Sequence, residues 1–269
     1  MPWQIKHVEN SFKTIASLAD KAVDVIITDP PYSAHVQGNM SSGTAMKRAV
    51  EDRSSGVKGK GGGIPRIELP FAALDSCDFA QDLVRVAKRW ALSFCAVEDF
   101  GDYRKSVTQD CWIRGGIWYK PNSMGQLTGD RPAAAYEGIA IMHRKVKKQW
   151  NGRGSFAYWS AELDEELAHY QMNGTRGEKD RHPNQKPLKL CLELVAKFTN
   201  RGETVLDPFC GSARIGEACV MLGRNYIGLD NDPAWVEKAA QRLTVVEECN
   251  LTMKDEDCLA LCRAPKKAA

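Results

Sequence analysis

The stretch that most constrains this chain is residues 23–32, VDVIITDPPY. Five of its first six residues are β-branched, and the run is too short for a buried helix, so it reads as a strand buried on both faces of a parallel sheet. Two prolines stop it. Pro30 and Pro31 fix φ and remove two backbone donors, leaving carbonyls that can only accept hydrogen bonds. In an open α/β sheet, ligands collect at the carboxyl ends of strands, so Asp29, Pro30, Pro31 and Tyr32 are the expected reactive turn. A carboxylate beside donor-free backbone suits a donor-rich partner. The exocyclic amine of a nucleobase is one, and its ring offers a flat face to Tyr32. A strand-ending turn with a solvated Asp29 is the plainer reading of the same residues.

The flanking sequence supports a parallel sheet. Trp3 to Val8 reads as a strand, and Ser11 reads as the N-cap of a helix whose apolar residues Phe12, Ile15 and Leu18 keep helical spacing. Further on, FAQDLVRVAKRW reads as an amphipathic helix, ALSFCAV as a buried strand, GDYRKSVTQ as a helix, and IRGGIWYK and YEGIAIMHR as strands. Leu188 to Thr199, with Pro187 at its first turn, reads as another helix. GETVLDPF, GSARIGEACVMLG, NYIGLD and DPAWVEKAAQRL then form a second strand-helix-strand-helix unit. The chain divides into a catalytic half over 1–120, a recognition insertion over 121–181 holding a core strand near 136–143, a second half over 182–246, and a peripheral tail over 247–269.

Two segments break the pattern. Residues 33–70 carry SSG, SSG and KGKGGG around a short basic run, a composition that buries little and predicts a mobile loop. Leaving directly from the reactive turn with Lys47, Arg48, Arg53, Lys58 and Lys60, it suits closure over a phosphate backbone, although a plain linker has the same composition. Residues 144–181 mix Lys147, Arg153 and Arg176 with Trp150, Phe156, Tyr158 and Trp159. This suits DNA contact, and equally a solvated face with core anchors.

Composition decides less. A net charge of +3 permits nucleic-acid binding without demanding it. The nine cysteines lack paired metal spacing and read as reduced, buried thiols, so no metal is expected. With no basic start before an apolar run and no apolar stretch of spanning length, a cytoplasmic protein is expected.

DPFCGSARIG at 207–216 is a strand-to-helix turn with glycines at 211 and 216, followed by Asp230 at the end of the next strand. It resembles a dinucleotide fingerprint without its glycine spacing. A nucleoside with a zwitterionic arm fits better: Asp230 on a ribose diol, Gly211 and Ser212 near a carboxylate at a helix N-terminus, and Asp207 near an ammonium. A turn with no ligand remains the alternative.

Together DPPY at 29–32, TGDRP at 128–132, HPNQKP at 182–187 and DPFCGSARIG resemble the amino-methylating DNA methyltransferases, in the permuted order of their beta class. The resemblance implies an α/β fold: a doubly wound, mostly parallel seven-stranded sheet with inserted DNA-recognition loops. It also implies S-adenosylmethionine as donor, the N6 amine of adenine in double-stranded DNA as acceptor, and a homodimer. By analogy, Asp29, Pro30 and Tyr32 carry the base. Asn10, Asn184, Gln185, Lys186, Asp207, Phe209, Gly211, Ser212 and Asp230, with the adjoining Cys210 and Asn231, carry the cofactor, and Arg131 of TGDRP joins the DNA surface. Two departures stand out: Ala213 and Arg214 occupy positions where the family usually has glycine and threonine, and Asn10 falls where the family usually has the acid that meets the cofactor adenine. N4-cytosine methylation is the alternative within this chemistry. A DNA-binding module with an inactive cofactor site is the alternative outside it.

Overall fold

The computed structural model describes residues 2–32, 77–121, 123, 132–160 and 185–263. The expected mobile loop with its five basic residues, together with Arg131, Arg176 and Asn184, lies outside the described residues.

Strand β1 (Trp3–His7) leads through helix α1 (Ser11–Ser17) to β2 (Val25–Thr28). Then come α2 (Phe79–Val86), β3 (Trp90–Cys95), α3 (Phe100–Ser106), β4 (Trp112–Tyr119), β5 (Tyr136–His143) and β6 (Tyr158–Ser160). The chain continues through α4 (Leu188–Phe198), β7 (Thr204–Asp207), α5 (Arg214–Met221), β8 (Asn225–Asp230), α6 (Pro233–Glu248) and α7 (Asp255–Arg263). These strands form one sheet in the order β1-β8-β7-β2-β3-β5-β4-β6. Every neighbouring pair is parallel except those made by β5, which runs against the rest.

Burial on both faces explains the apolar run that dominates the sequence. Val25 and Ile27 of β2 pack into a core shared with α4, α5 and α6, while Ile26 joins a second core with α1, α2 and α3. Alternate side chains of a strand point to opposite faces, so a strand covered on both sides must be apolar throughout, and all four residues of β2 are buried.

The topology places the site. From β2 the chain crosses outward through α2 to its neighbour β3, and from β7 it crosses the other way through α5 to β8. Adjacent β2 and β7 are therefore where the winding reverses, the crevice at which open α/β sheets hold ligands. The turn after β2 precedes the turn after β7 by well over half the chain, in the permuted order expected.

Three expectations are corrected. The sheet has eight strands among the described residues rather than seven, because Tyr158–Ser160 pairs along β4; three residues carry no readable period, and the stretch reads as irregular. Helix α1 is capped by Asn10, whose Oδ1 accepts the Lys13 N–H at 3.0 Å, and not by Ser11, which is its first residue. The tail is not peripheral as far as Arg263. The Arg224 guanidinium, fully buried, donates to both carboxylate oxygens of Asp255 at 2.5 and 2.9 Å, and Cys258 of α7 is buried in the core.

Candidate active site

At the carboxyl end of β2, Asp29 faces a lysine delivered by a distant segment. Lys186 Nζ, just before α4, donates to Asp29 Oδ2 at 2.6 Å and lies 3.1 Å from Glu137 Oε2. Glu137 is the second residue of β5, and because β5 is antiparallel its start lies at the carboxyl end of the neighbouring strands. The same Oε2 accepts the Tyr32 hydroxyl at 2.7 Å, and Lys120, following β4, pairs with Oε1. Asp29, Tyr32, Lys120, Glu137 and Lys186 thus form one cluster of alternating charge.

Burial and neighbouring charge set the protonation of this cluster. Burial pushes Asp29 above the ordinary aspartate range; the Lys186 cation offsets part of the rise and the Glu137 anion adds to it. Burial would also raise Glu137, but Lys186 and Lys120 outweigh it and bring the carboxyl down to about 2. Burial would lower Lys186, yet the facing carboxylates of Asp29 and Glu137 hold it above the usual lysine range. The lysine stays cationic between its two acids. Asp29 Oδ1 is buried and has no hydrogen-bond partner among the described residues. A buried acceptor without a donor is costly, and a ligand bringing an N–H relieves that cost.

The second half of the site is the turn after β7. Gly211 has φ +46, in the left-handed region that favours glycine, and its N–H donates to Asp230 Oδ2 at 2.8 Å. Asp230 Oδ1 accepts the Asp232 N–H at 3.0 Å. Burial raises the Asp230 carboxyl, with these backbone donors opposing the rise. Phe209 packs on Phe12 at 4.8 Å between ring centroids. Ala213 has φ +55 as the N-cap of α5. That conformation is why glycine is the favoured residue there.

The structure brings most of the expected site residues to this end of the sheet but changes the role of several. Asp207 does not face out towards an ammonium. It is 2% exposed and turned inward, accepting the Thr28 hydroxyl at 2.7 Å, the Phe209 N–H at 3.2 Å and the Tyr226 hydroxyl at 3.3 Å. Burial pushes it up to about 7, against the pull of these donors. Cys210 is buried, its thiol raised well above the usual range by desolvation. Gly216 makes room for packing rather than for a ligand, since a Cβ there would meet the Tyr226 ring at 2.5 Å. Ser212 is buried, and the Gln185 Oε1 accepts from Arg242 at 3.0 Å. Asn10 spends its side-chain oxygen on the cap of α1. Exposed Asn231 follows β8, and its carbonyl lies 3.2 Å from the His7 ring.

Lys147 and Arg153 are exposed but lie at the far end of the sheet. They follow His143, which pairs with Trp90 at the start of β3, and Trp150 between them packs on Phe198 at 4.7 Å. Because β5 is antiparallel, its exit leads away from Asp29, and these two residues with it. Trp150 and Trp159 are core anchors, while Phe156 and Tyr158 are exposed.

The residues at the turn after β7 fit a nucleoside cofactor: a partly exposed Asp230 beside a left-handed glycine. The profile of the DNA methylase family, which covers N6 and N4 methylation, matches residues 103–241, just over half of the chain. The chain belongs to the DNA methylase family. Similar curated methylases are the type II methyltransferase M.HinfI of Haemophilus influenzae, 24% identical over 87% of this chain and 66% of its own length, and M.Cfr9I of Citrobacter freundii, 26% identical over 61% and 51%. The chain thus spans less than two thirds of the length of these relatives. Similar solved structures include the M1.HpyAVI complex with S-adenosylmethionine (TM-score 0.58, 20% identity, 90% of this chain and 99% of that one). Another is the cytosine-N4-specific PvuII DNA methyltransferase (TM-score 0.60, 14% identity, 96% and 90%). At such identities they show that this methylase shares their fold.

Glu137, Lys120 and Tyr226 were not singled out in the sequence. For Glu137 a signal was present: it is the one acid in the strand YEGIAIMH, directly ahead of the apolar run GIAIM. Lys120 and Tyr226 carry none, because only the fold brings them to Glu137 and Asp207.

Proposed function

We propose that this DNA methylase transfers a methyl group from S-adenosylmethionine to the N6 amine of an adenine flipped out of duplex DNA at a specific site. The observation that supports this reading is the state of Asp29 at the topological switch: Oδ2 is held by Lys186, and Oδ1 is buried without a donor among the described residues. The amino lone pair of adenine is delocalised into its ring and is a poor nucleophile. Asp29 Oδ1 and the Pro30 carbonyl accept its two N–H bonds and draw the nitrogen towards tetrahedral geometry. As positive charge develops on that nitrogen, the Asp29 carboxylate stabilises it more in the transition state than in the ground state. Tyr32 offers its ring to the extruded base. Asp230 holds a ribose diol, and the Phe209–Ser212 turn lies against the rest of the cofactor. S-Adenosylmethionine supplies the electrophilic methyl group. No covalent enzyme intermediate is involved, and none of the cysteines has a catalytic role.

The type II names of the curated relatives favour a place beside a restriction enzyme. Digestion and mass spectrometry of DNA treated with the protein and S-adenosylmethionine tests the proposal: N6-methyladenine is expected. N4-methylcytosine as the sole product would replace the adenine assignment with the second reading, which the likeness to the cytosine-N4-specific PvuII enzyme favours. Asp29 weighs against it, since cytosine members of the resembling class more often carry serine there.

A further inference from the structure

Glu137 is the meeting point of the catalytic cluster, although it touches neither proposed substrate. Its Oε2 receives two donors at once, the Tyr32 hydroxyl at 2.7 Å and the Lys186 ammonium at 3.1 Å, and its Oε1 is paired with Lys120. Its side chain is 13% exposed, and that of Lys186 is 7% exposed. The rigid strand β5 holds it, with Trp118 of β4 as its register partner. One carboxylate therefore sets the position of two groups: the cation that grips Asp29, and the ring beside which the base would lie.

We infer that Glu137 is a positioning residue for methyl transfer, holding Lys186 against Asp29 Oδ2 and Tyr32 by its hydroxyl so that Asp29 Oδ1 is left aimed at the acceptor amine. The inference rests on the methyltransferase reading above. Its physical basis is the division of labour within Asp29. Two carboxylate oxygens near one lysine could share it, and an Asp29 free to rotate would offer the amine either oxygen or none. With Lys186 fixed from the other side by Glu137, Oδ2 is occupied and only Oδ1 remains. The electrostatics agree. Among the described residues, the charged or titratable groups facing Asp29 are Lys186, Glu137, Lys120, Tyr32 and Asp207. Among them the Glu137 anion raises Asp29, while Lys186 and Lys120 lower it. Glu137 thus places Lys186 and tempers its pull, and removing its charge must lower the pH at which Asp29 ionises.

The test compares wild-type protein with Glu137→Gln and Glu137→Asp, measuring kcat, the KM for S-adenosylmethionine, thermal unfolding and the pH dependence of kcat. Glutamine removes the charge and turns an amide against one of the three donors. Its kcat should fall on the order of 10- to 100-fold, with KM changed less than about threefold, and the acidic limb of the profile should move to lower pH. Aspartate keeps the charge but shortens the reach. Its kcat should fall on the order of 10-fold, with the acidic limb in place. A folded Glu137→Gln protein with wild-type kcat and an unmoved acidic limb overturns the inference, as does a change in unfolding temperature alone. If Glu137→Gln does not fold, wild-type kcat in Glu137→Asp overturns it. The wild-type arm tests the reading beneath: wild-type protein that transfers no methyl group to DNA of mixed sequence removes that reading and the inference with it.

Discussion

Lys186 Nζ lies 2.6 Å from Asp29 Oδ2, joining residues 157 positions apart at the switch point of the sheet. The DPPY turn and Lys186 therefore meet at this crevice. The resemblance alone had placed Lys186 with the cofactor.

Lys186→Met separates those two assignments. The substitution leaves Asp29 without its ion-pair partner while Glu137 keeps Lys120, and Asp29, buried beside that anion, takes up a proton. Methyl transfer should fall on the order of 100-fold or more, while the calorimetric affinity for S-adenosylmethionine changes less than about threefold. An affinity loss as large as the rate loss would return Lys186 to the cofactor.

Asp230 accepts backbone N–H bonds from Gly211 and Asp232 and, at the end of β8, keeps part of its surface open. Hydrogen bonds to charged groups contribute about 1.5–3 kcal/mol. Asp230→Ala should therefore weaken S-adenosylmethionine binding on the order of 10- to 100-fold, with DNA binding in a cofactor-free gel shift unchanged. Unaltered cofactor affinity by calorimetry would remove the ribose assignment.

Asp207 ties β2, β7 and β8 together from inside, and burial raises its pKa to about 7. In the unfolded chain it ionises in the ordinary aspartate range, so between roughly pH 4 and pH 7 the folded state holds the extra proton. The contribution of this carboxyl to stability is fully present below that window and is lost as pH rises through it. Asp207→Asn abolishes that loss. Relative to wild type, urea denaturation should show the variant gaining more than about 1 kcal/mol between pH 5 and pH 8. A difference that does not vary with pH would mean that Asp207 is ionised throughout.

Helix α7 is held on the core by a charge pair with one side fully buried, Arg224 with Asp255. Removing one partner leaves a buried cation uncompensated, at a cost of about 3 kcal/mol. Asp255→Ala should lower the urea midpoint accordingly with an unchanged slope. A loss below about 0.5 kcal/mol would show that α7 is dispensable to the core, with the pair acting as an exposed one does.

What was legible in the sequence follows from range. Val25–Thr28 could be placed because double-sided burial demands an unbroken apolar run, and Asp29 and Tyr32 followed from the prolines that end it. The Gly211 turn and Asp230 were legible because strand, glycine and acid lie close together in the chain. Glu137 was marked only as the lone acid of its strand, and its place in the cluster depends on a reversal of strand direction that brings the start of β5 to the same end of the sheet as the end of β2. The same reversal carries Lys147 and Arg153 to the opposite end of the sheet, a placement that the composition of their segment, suited alike to DNA contact and to a solvated face, did not show. Asp207 misled because a carboxylate at a strand end looks solvent-facing until Thr28 and Tyr226 are seen to close over it. The short edge strand β6 and the docked tail rest on pairings that no local period announces.

The central claim is that the unpartnered oxygen of Asp29 receives the acceptor amine while Lys186 holds the other. Single-turnover methyl transfer from labelled S-adenosylmethionine to duplex DNA, compared between wild type and Asp29→Ala, tests it most directly. The expected result is a rate loss on the order of 1000-fold, equivalent to about 4 kcal/mol of barrier, with cofactor binding retained. Methyl transfer at the wild-type rate in the Asp29→Ala protein would contradict it.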